Sequence, residues 1–210
     1  MQSTLKAVFF DLDGTLLDSF SLHFSAYETM FAHFGIEMVK DKFLGTYSPN
    51  WYRTYEAFGL AEEHWETANN LWLEAADTHE PELFPGVIEM LDILAAEYEL
   101  GIVTSGSKSR VVKEISRLNI GEYFGVVVTA EDVSKPKPHP EGLQLALSSF
   151  SLSPDSAIYV GDALADFEMS RAAGVRFIGV TSEFANLAFD HPEYNVHSIA
   201  DLPSAIDPNT

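Results

Sequence analysis

No cysteine occurs in the 210-residue chain, which excludes disulfides, thiolate metal sites and cysteine nucleophiles. Basic residues are scarce: 12 Lys+Arg stand against 32 Asp+Glu, a formal net charge of −20. A field of that sign repels nucleic acid and anionic membranes, which bind through clustered Lys and Arg. It also repels a phosphorylated metabolite, so any anion site needs local positive charge from a metal, a lysine or backbone N–H groups. There is no apolar run of about 18 residues, and the N-terminus lacks the basic-then-apolar pattern of a signal peptide. The expectation is a soluble cytoplasmic protein without nucleic-acid or membrane partners.

Hydrophobic residues make up 46% of the chain and aromatics 12%, enough for a packed core and against disorder. Lys6-Ala7-Val8-Phe9-Phe10 reads as a short buried strand, broken by Asp11 to Gly14. From about Asp18 to Leu83 the pattern is helical and aromatic-rich. Ser48-Pro49 suits a helix start there and Gly59 its end, while Trp65, Ala68, Trp72, Ala75 and Ala76 mark one apolar stripe.

After Pro85-Gly86 helices and strands alternate. Val87 to Tyr98 has helical rhythm, Leu100–Thr104 is a strand, and a helix runs to about Leu118. Further strands are expected at Val126–Thr129, Ile158–Val160 and Phe177–Val180, with helices at Pro140–Ser149 and Asp166–Ala173. Such alternation implies a parallel sheet with right-handed crossovers, which binds ligands outside the carboxyl ends of its strands. The polar clusters Asp11–Asp13, Ser105–Ser107, Ser134–Lys137 and Gly161–Asp166 follow those strands or their adjoining loops, so they converge on one site.

Asp11-Leu12-Asp13-Gly14-Thr15 places two carboxylates just past a strand. One carboxylate can attack phosphorus, and a second carboxyl can protonate the leaving oxygen and later activate water. The plainer reading is an Asp-Gly turn. Ser105 and the Gly106 amide open a helix and suit a phosphoryl oxygen, although Ser and Gly are also ordinary N-caps; Thr104 is the alternative one residue earlier. Lys135, stiffened by its neighbouring prolines, is the expected partner of Asp11, with Lys137 solvated. Asp162 is the candidate metal ligand, in the oxygen-only chemistry that Mg²⁺ prefers. Asp166 either orients a coordinated water or Lys135, or satisfies a helix dipole.

The four segments together resemble the haloacid dehalogenase superfamily of aspartate-nucleophile phosphohydrolases. Phe9 to Ser19 is close to its first motif, and Ser105, Lys135-Pro136 and Gly161-Asp162 with Asp166 match the other three in order. The phosphoglycolate phosphatase and β-phosphoglucomutase-like branch is the most similar. The resemblance implies an α/β fold: a Rossmann-like core (1–17 and 83–210) with an inserted helical cap (18–82). It implies Asp11 as nucleophile and metal ligand, and Asp13 as acid/base that also binds the metal through its carbonyl. Ser105 and Gly106 would hold phosphate, Lys135 would stabilise charge, and Asp162 would ligate Mg²⁺.

His23 falls where β-phosphoglucomutase-like members place a cap-hinge histidine. Arg53, among Tyr47, Trp51, Tyr52 and Tyr55, is a candidate substrate contact or simply a surface residue over an aromatic core. The function expected is Mg²⁺-dependent hydrolysis of a small phosphorylated metabolite through an aspartyl-phosphate. The alternatives are a sugar phosphomutase and a non-catalytic binding or regulatory protein. Asp13 argues against carbon–halogen hydrolysis, because the dehalogenases lack that acid. Without one Lys or Arg, the stretch Ala61–Asp77 disfavours the mutase, although Lys40, Lys42 and Arg53 remain.

Overall fold

The computed structural model describes residues 5–46, 51–78, 80–181 and 195–206. Strand β1 (Ala7–Phe10) is followed by helices α1 (Phe20–His33), α2 (Lys40–Thr46), α3 (Trp51–Ala57) and α4 (Trp65–Ala76). The chain then alternates through α5 (Val87–Ala95), β2 (Glu99–Val103), α6 (Lys108–Arg117) and β3 (Val126–Val128). It continues with α7 (Glu141–Ser149), β4 (Ala157–Gly161), α8 (Leu164–Ala173), β5 (Arg176–Val180), β6 (Asn195–Val196) and α9 (Leu202–Ile206).

The strands form one parallel sheet in the order β3-β2-β1-β4-β5-β6. Every residue of β1 is buried, as expected of a central parallel strand covered on both faces. Its side chains alternate: Val8 and Phe10 enter one apolar cluster with Leu91, Ile102 and Ile158, whereas Ala7 and Phe9 enter another with Val103, Leu143 and Tyr159. Burying a phenylalanine on each face contributes about 1.5–3 kcal/mol per side chain.

The topology positions the site. From β1 the chain moves outward through β2 to β3, then returns across β1 to β4 and on to β5. Connections therefore diverge on either side of β1, and the carboxyl end of β1 opens onto a crevice at the switch point. The Asp11 amide donates to Val160 O at 2.8 Å and the Thr104 amide to Val128 O at 3.0 Å. Pairing thus continues one residue past β1 and β2, and fixes the backbone where the chemical groups begin.

The helices between β1 and α5 have their own core. Tyr27, Phe31, Phe43, Tyr55 and Trp72 are buried together, with Phe31 stacked on Phe58 at 4.8 Å between centroids. The apolar stripe read from sequence is the buried face of α4: Ala68, Trp72 and Ala76 are buried, with Trp65 and Ala75 packed against the cluster. Gly59 follows α3 at φ +76°, where Leu60 N donates back to Tyr55 O, so the expected helix end is found. The Ser48-Pro49 helix start lies outside the described residues. Two backbone segments run side by side where this helical layer leaves the sheet: Asp18 N donates to Glu82 O and Phe84 N to Leu16 O. No described helix is long and apolar enough to cross a membrane.

Candidate active site

Asp11 is the first residue after β1 and Asp162 the first after β4, so sheet register brings them to neighbouring strand ends. Asp166 reaches the same place from the first turn of α8. Carboxylate oxygens of Asp11, Asp162 and Asp166 lie within 4.8 Å of one another, and all three residues are buried. Two glycines make room for them. A Cβ at Gly14 would stand 2.3 Å from Asp162 Oδ2, and one at Gly161 would stand 2.6 Å from Asp166 Oδ2. Gly14 also has φ +75°, where a side chain is strained. Gly14→Ala is therefore expected to cost at least about 1–2 kcal/mol from the backbone alone. Urea unfolding checks this, and an unchanged midpoint would contradict the close approach of Asp162.

The lysine at this cluster is Lys137. Its Nζ donates to Asp11 Oδ1 at 2.8 Å, to Asp166 Oδ1 at 2.7 Å and to the Tyr159 hydroxyl at 2.7 Å. The Tyr159 hydroxyl in turn stands 2.8 Å from Val103 O, which anchors the group to β2. Lys135, the lysine expected from sequence, is instead exposed. The cause is local. Glu141, at the start of α7, accepts from the backbone N–H groups of Ser134 and Lys135, and this holds the first half of the loop at the surface. The chain then turns, with His139 N donating to Pro136 O, and Lys137 within that turn points inward. His139 itself is exposed.

Burial pushes the Asp11 carboxyl up to about 7, while the Lys137 ammonium pulls it down and the Asp166 charge adds to the rise. For Lys137, burial disfavours the charge, but Asp11 and Asp166 outweigh it and raise its proton affinity. Asp166 sits at the helix start, as one of its two sequence readings expects, and it holds a lysine, but that lysine is Lys137 rather than Lys135. Asp166 Oδ2 accepts from the Ala163 N–H at the start of α8, and its Oδ1 takes Lys137.

Asp13 stands apart from this trio, in a second charged group. His23 Nε2 lies 3.1 Å from Asp13 Oδ1, and the His23 ring packs edge-on against Trp72 at 5.3 Å. Arg110 on α6 was not singled out from sequence, yet it presents both terminal nitrogens to Asp13, with Nη1 at 3.1 Å from Oδ1 and Nη2 bonded to Oδ2. Nη1 also reaches both oxygens of Glu114, at 3.0 and 2.9 Å. Burial alone would push the Asp13 carboxyl up, but the Arg110 guanidinium, and then His23, hold it well below the usual carboxylate range. Burial moves the Glu114 carboxyl the other way, up to about 7 against the pull of Arg110.

Ser105 is half-buried in the loop between β2 and α6 and lines a small cleft with Thr104, Thr129, Lys135 and Lys137. The Gly106 amide, expected to face phosphate, donates to Thr104 Oγ1 at 3.1 Å in this structure. Arg53 is exposed on α3, while its neighbours Thr54 and Tyr55 are buried.

A parallel α/β sheet with buried carboxylates and a lysine at its central strand ends suits phosphoryl chemistry, and comparison with known proteins places the chain among hydrolases. The chain belongs to the haloacid dehalogenase-like hydrolase family, whose model matches residues 8–180. It is 33% identical to pyrophosphatase PpaX of Bacillus velezensis, over 94% of each chain. It is 30% identical to phosphoglycolate phosphatase 1 of Pseudomonas aeruginosa, over 96% of this chain and 80% of that one. Among solved structures, a haloacid dehalogenase-like family protein from Streptococcus pneumoniae superposes with a TM-score of 0.82 at 26% identity, covering 97% of this chain and 99% of that one. The CbbY protein of Rhodobacter sphaeroides, solved with xylulose-(1,5)bisphosphate, shares the fold with a TM-score of 0.83 at 22% identity, over 97% of this chain and 100% of that one.

Proposed function

We propose that this enzyme is a Mg²⁺-dependent phosphomonoesterase that hydrolyses a small phosphorylated metabolite through an aspartyl-phosphate on Asp11. The observation that carries the reading is the buried group of Asp11, Asp162 and Asp166 with Lys137 bonded into it. Three carboxylates against one ammonium leave an excess of buried negative charge, which favours a bound cation. The donors are hard oxygens, and Asp162 can approach the backbone of the Asp13-Gly14 segment this closely only because residue 14 lacks a side chain. An all-oxygen donor set fits Mg²⁺. Asp11, Asp162 and the carbonyl of Asp13 are the proposed ligands, and Asp166 orients Lys137. When bound, the ion neutralises phosphoryl charge beside the nucleophile.

In the first step an Asp11 carboxylate oxygen bonds to phosphorus as the P–O bond to the leaving group breaks; Asp13, having left Arg110 and His23 and taken up a proton from solvent, gives that proton to the departing oxygen. In the second, water attacks the phosphorus of the aspartyl-phosphate, its proton passes to Asp13, and the P–O bond to Asp11 breaks to release inorganic phosphate. Lys137 offsets charge on Asp11 and the phosphoryl oxygens throughout. Ser105 is the proposed hydroxyl donor to those oxygens. The Gly106 amide joins it on releasing Thr104. The helical layer of about residues 18–82 serves as a cap that excludes water, with the paired segments at 16–18 and 82–84 as its two connections to the core.

Hydrolysis is favoured over mutase chemistry. Lys40 and Lys42 sit over the rings of Phe20 and Phe58, at 4.7 and 4.5 Å, and Arg53 is exposed. The test is phosphate release from p-nitrophenyl phosphate and a panel of phosphorylated metabolites, titrated with Mg²⁺. Asp162→Ala is expected to raise the half-saturating Mg²⁺ concentration at least about tenfold, because it removes an anionic oxygen ligand. An unchanged value would remove Asp162 from the ligand set.

A further inference from the structure

Lys137 and Arg110 are the lysine and arginine side chains that pair with the Asp11 and Asp13 carboxylates among the described residues. They stand at opposite ends of the reaction proposed above. Lys137 is on the nucleophile, whereas Arg110 is on the residue that serves the leaving oxygen. Arg110 is also a built feature rather than a solvated helix residue. Its side chain is 9% exposed, both Glu114 oxygens hold it from one turn along α6, and its guanidinium lies 5.9 Å from the Trp72 ring of the helical layer. A Cβ at residue 106 would stand 2.6 Å from Nη2, so Gly106 is what admits the guanidinium. None of these supports depends on Asp13.

We propose that Arg110 is a specificity-determining residue whose guanidinium binds an oxyanion on the leaving portion of the substrate. It thereby selects phosphate esters or anhydrides with a second anionic group near the scissile bond. The inference rests on the phosphatase reading above. The planar fork of arginine matches carboxylate or phosphate oxygens two at a time, and the Asp13 carboxylate already occupies it in that manner. As Asp13 turns to the leaving oxygen, the substrate oxyanion takes its place in the fork. A chain of net charge −20 needs such a cation to admit a doubly anionic ligand. The nearby lysines of α6 are engaged elsewhere, Lys108 with Asp132 and Lys113 with Asp77, both at the surface. Trp72 over the guanidinium lowers the local dielectric, which strengthens the contact.

The test compares wild type, Arg110→Gln and Arg110→Lys by kcat/KM on four probes with Mg²⁺ present. They are 2-phosphoglycolate, inorganic pyrophosphate, ethyl phosphate with its uncharged leaving group, and p-nitrophenyl phosphate. Wild type is expected to prefer at least one of the two anionic probes over ethyl phosphate. Arg110→Gln is expected to lower kcat/KM for that probe about thirtyfold more than for ethyl phosphate, the scale of a charge-assisted hydrogen-bonded pair, and Lys to restore part of it. The arm that collapses says whether the oxyanion is a carboxylate or a phosphate. If Arg110→Gln does not fold, Arg110→Gln combined with Glu114→Gln removes the stranded carboxylate and is read in the same way. Equal losses on all probes, or no wild-type preference, overturn the proposal by reducing Arg110 to a support for Asp13. No Mg²⁺-stimulated turnover of p-nitrophenyl phosphate by wild type overturns the phosphatase reading itself.

Discussion

Replacing Asp11 by asparagine is expected to lower turnover at least about a thousandfold while leaving the fold intact, because the amide keeps the carboxylate's shape but is a poor nucleophile. Asp11 sits on the central strand's carboxyl end with its backbone locked by the bond to Val160 and one side-chain oxygen held by Lys137. An asparagine oxygen can still accept from Lys137, so thermal unfolding is expected to move little. Phosphate release by protein shown to be free of deamidation is the measurement. Activity within about tenfold of wild type would mean that Asp11 does not attack phosphorus.

The second large effect separates two lysines that the sequence and the structure rank in opposite orders. Lys137→Ala is expected to reduce kcat at least about a hundredfold, and also to destabilise the protein by about 3–5 kcal/mol, the cost of leaving buried carboxylates unpaired. Asp11 and Asp166 would lose the same ammonium together. Lys135→Ala removes an exposed side chain and is expected to cost at most about fivefold in kcat and under about 0.5 kcal/mol. Steady-state kinetics and urea unfolding of the two variants decide between them. The reverse order would restore Lys135 as the charge-stabilising residue.

That ambiguity shows where sequence reading stops. The loop contains Lys-Pro-x-Pro twice in overlapping register, at Lys135–Pro138 and Lys137–Pro140, and only the second runs directly into α7. That adjacency was the available signal. What turns Lys135 outward is the grip of Glu141 on two backbone N–H groups, a contact that spacing does not reveal. Asp11 and Asp162 were legible for the opposite reason. Asp11 directly follows an apolar run and Asp162 follows one after a single glycine, and in a parallel sheet the ends of neighbouring strands meet whatever the details of packing.

Arg110 left almost no trace in the sequence. Arg110 and Glu114 are four residues apart on a helix, the usual spacing of a solvated surface pair. Only the missing side chain at Gly106 and the approach of Asp13 and Trp72 make the pair internal. His23, at the cap-hinge position the resemblance implies, packs within 3.1 Å of Asp13, whereas Arg53, among its aromatic neighbours in sequence, lies exposed. In β6 only two residues pair with the sheet, too few to produce a hydrophobic period.

The covalent intermediate on Asp11 can be trapped. Enzyme carrying Asp13→Asn, in which hydrolysis of the acyl phosphate is slowed, is mixed with Mg²⁺ and p-nitrophenyl phosphate, whose leaving group departs without needing a proton, for a single turnover, quenched in acid and reduced with borohydride. Reduction converts an aspartyl-phosphate to homoserine, and peptide mass spectrometry locates it. Substrate-dependent homoserine is expected at position 11 and at no other aspartate, absent from an Asp11→Asn control. Homoserine at another position, or none in protein that still releases phosphate in the wild-type form, would contradict the assignment of Asp11 as the nucleophile.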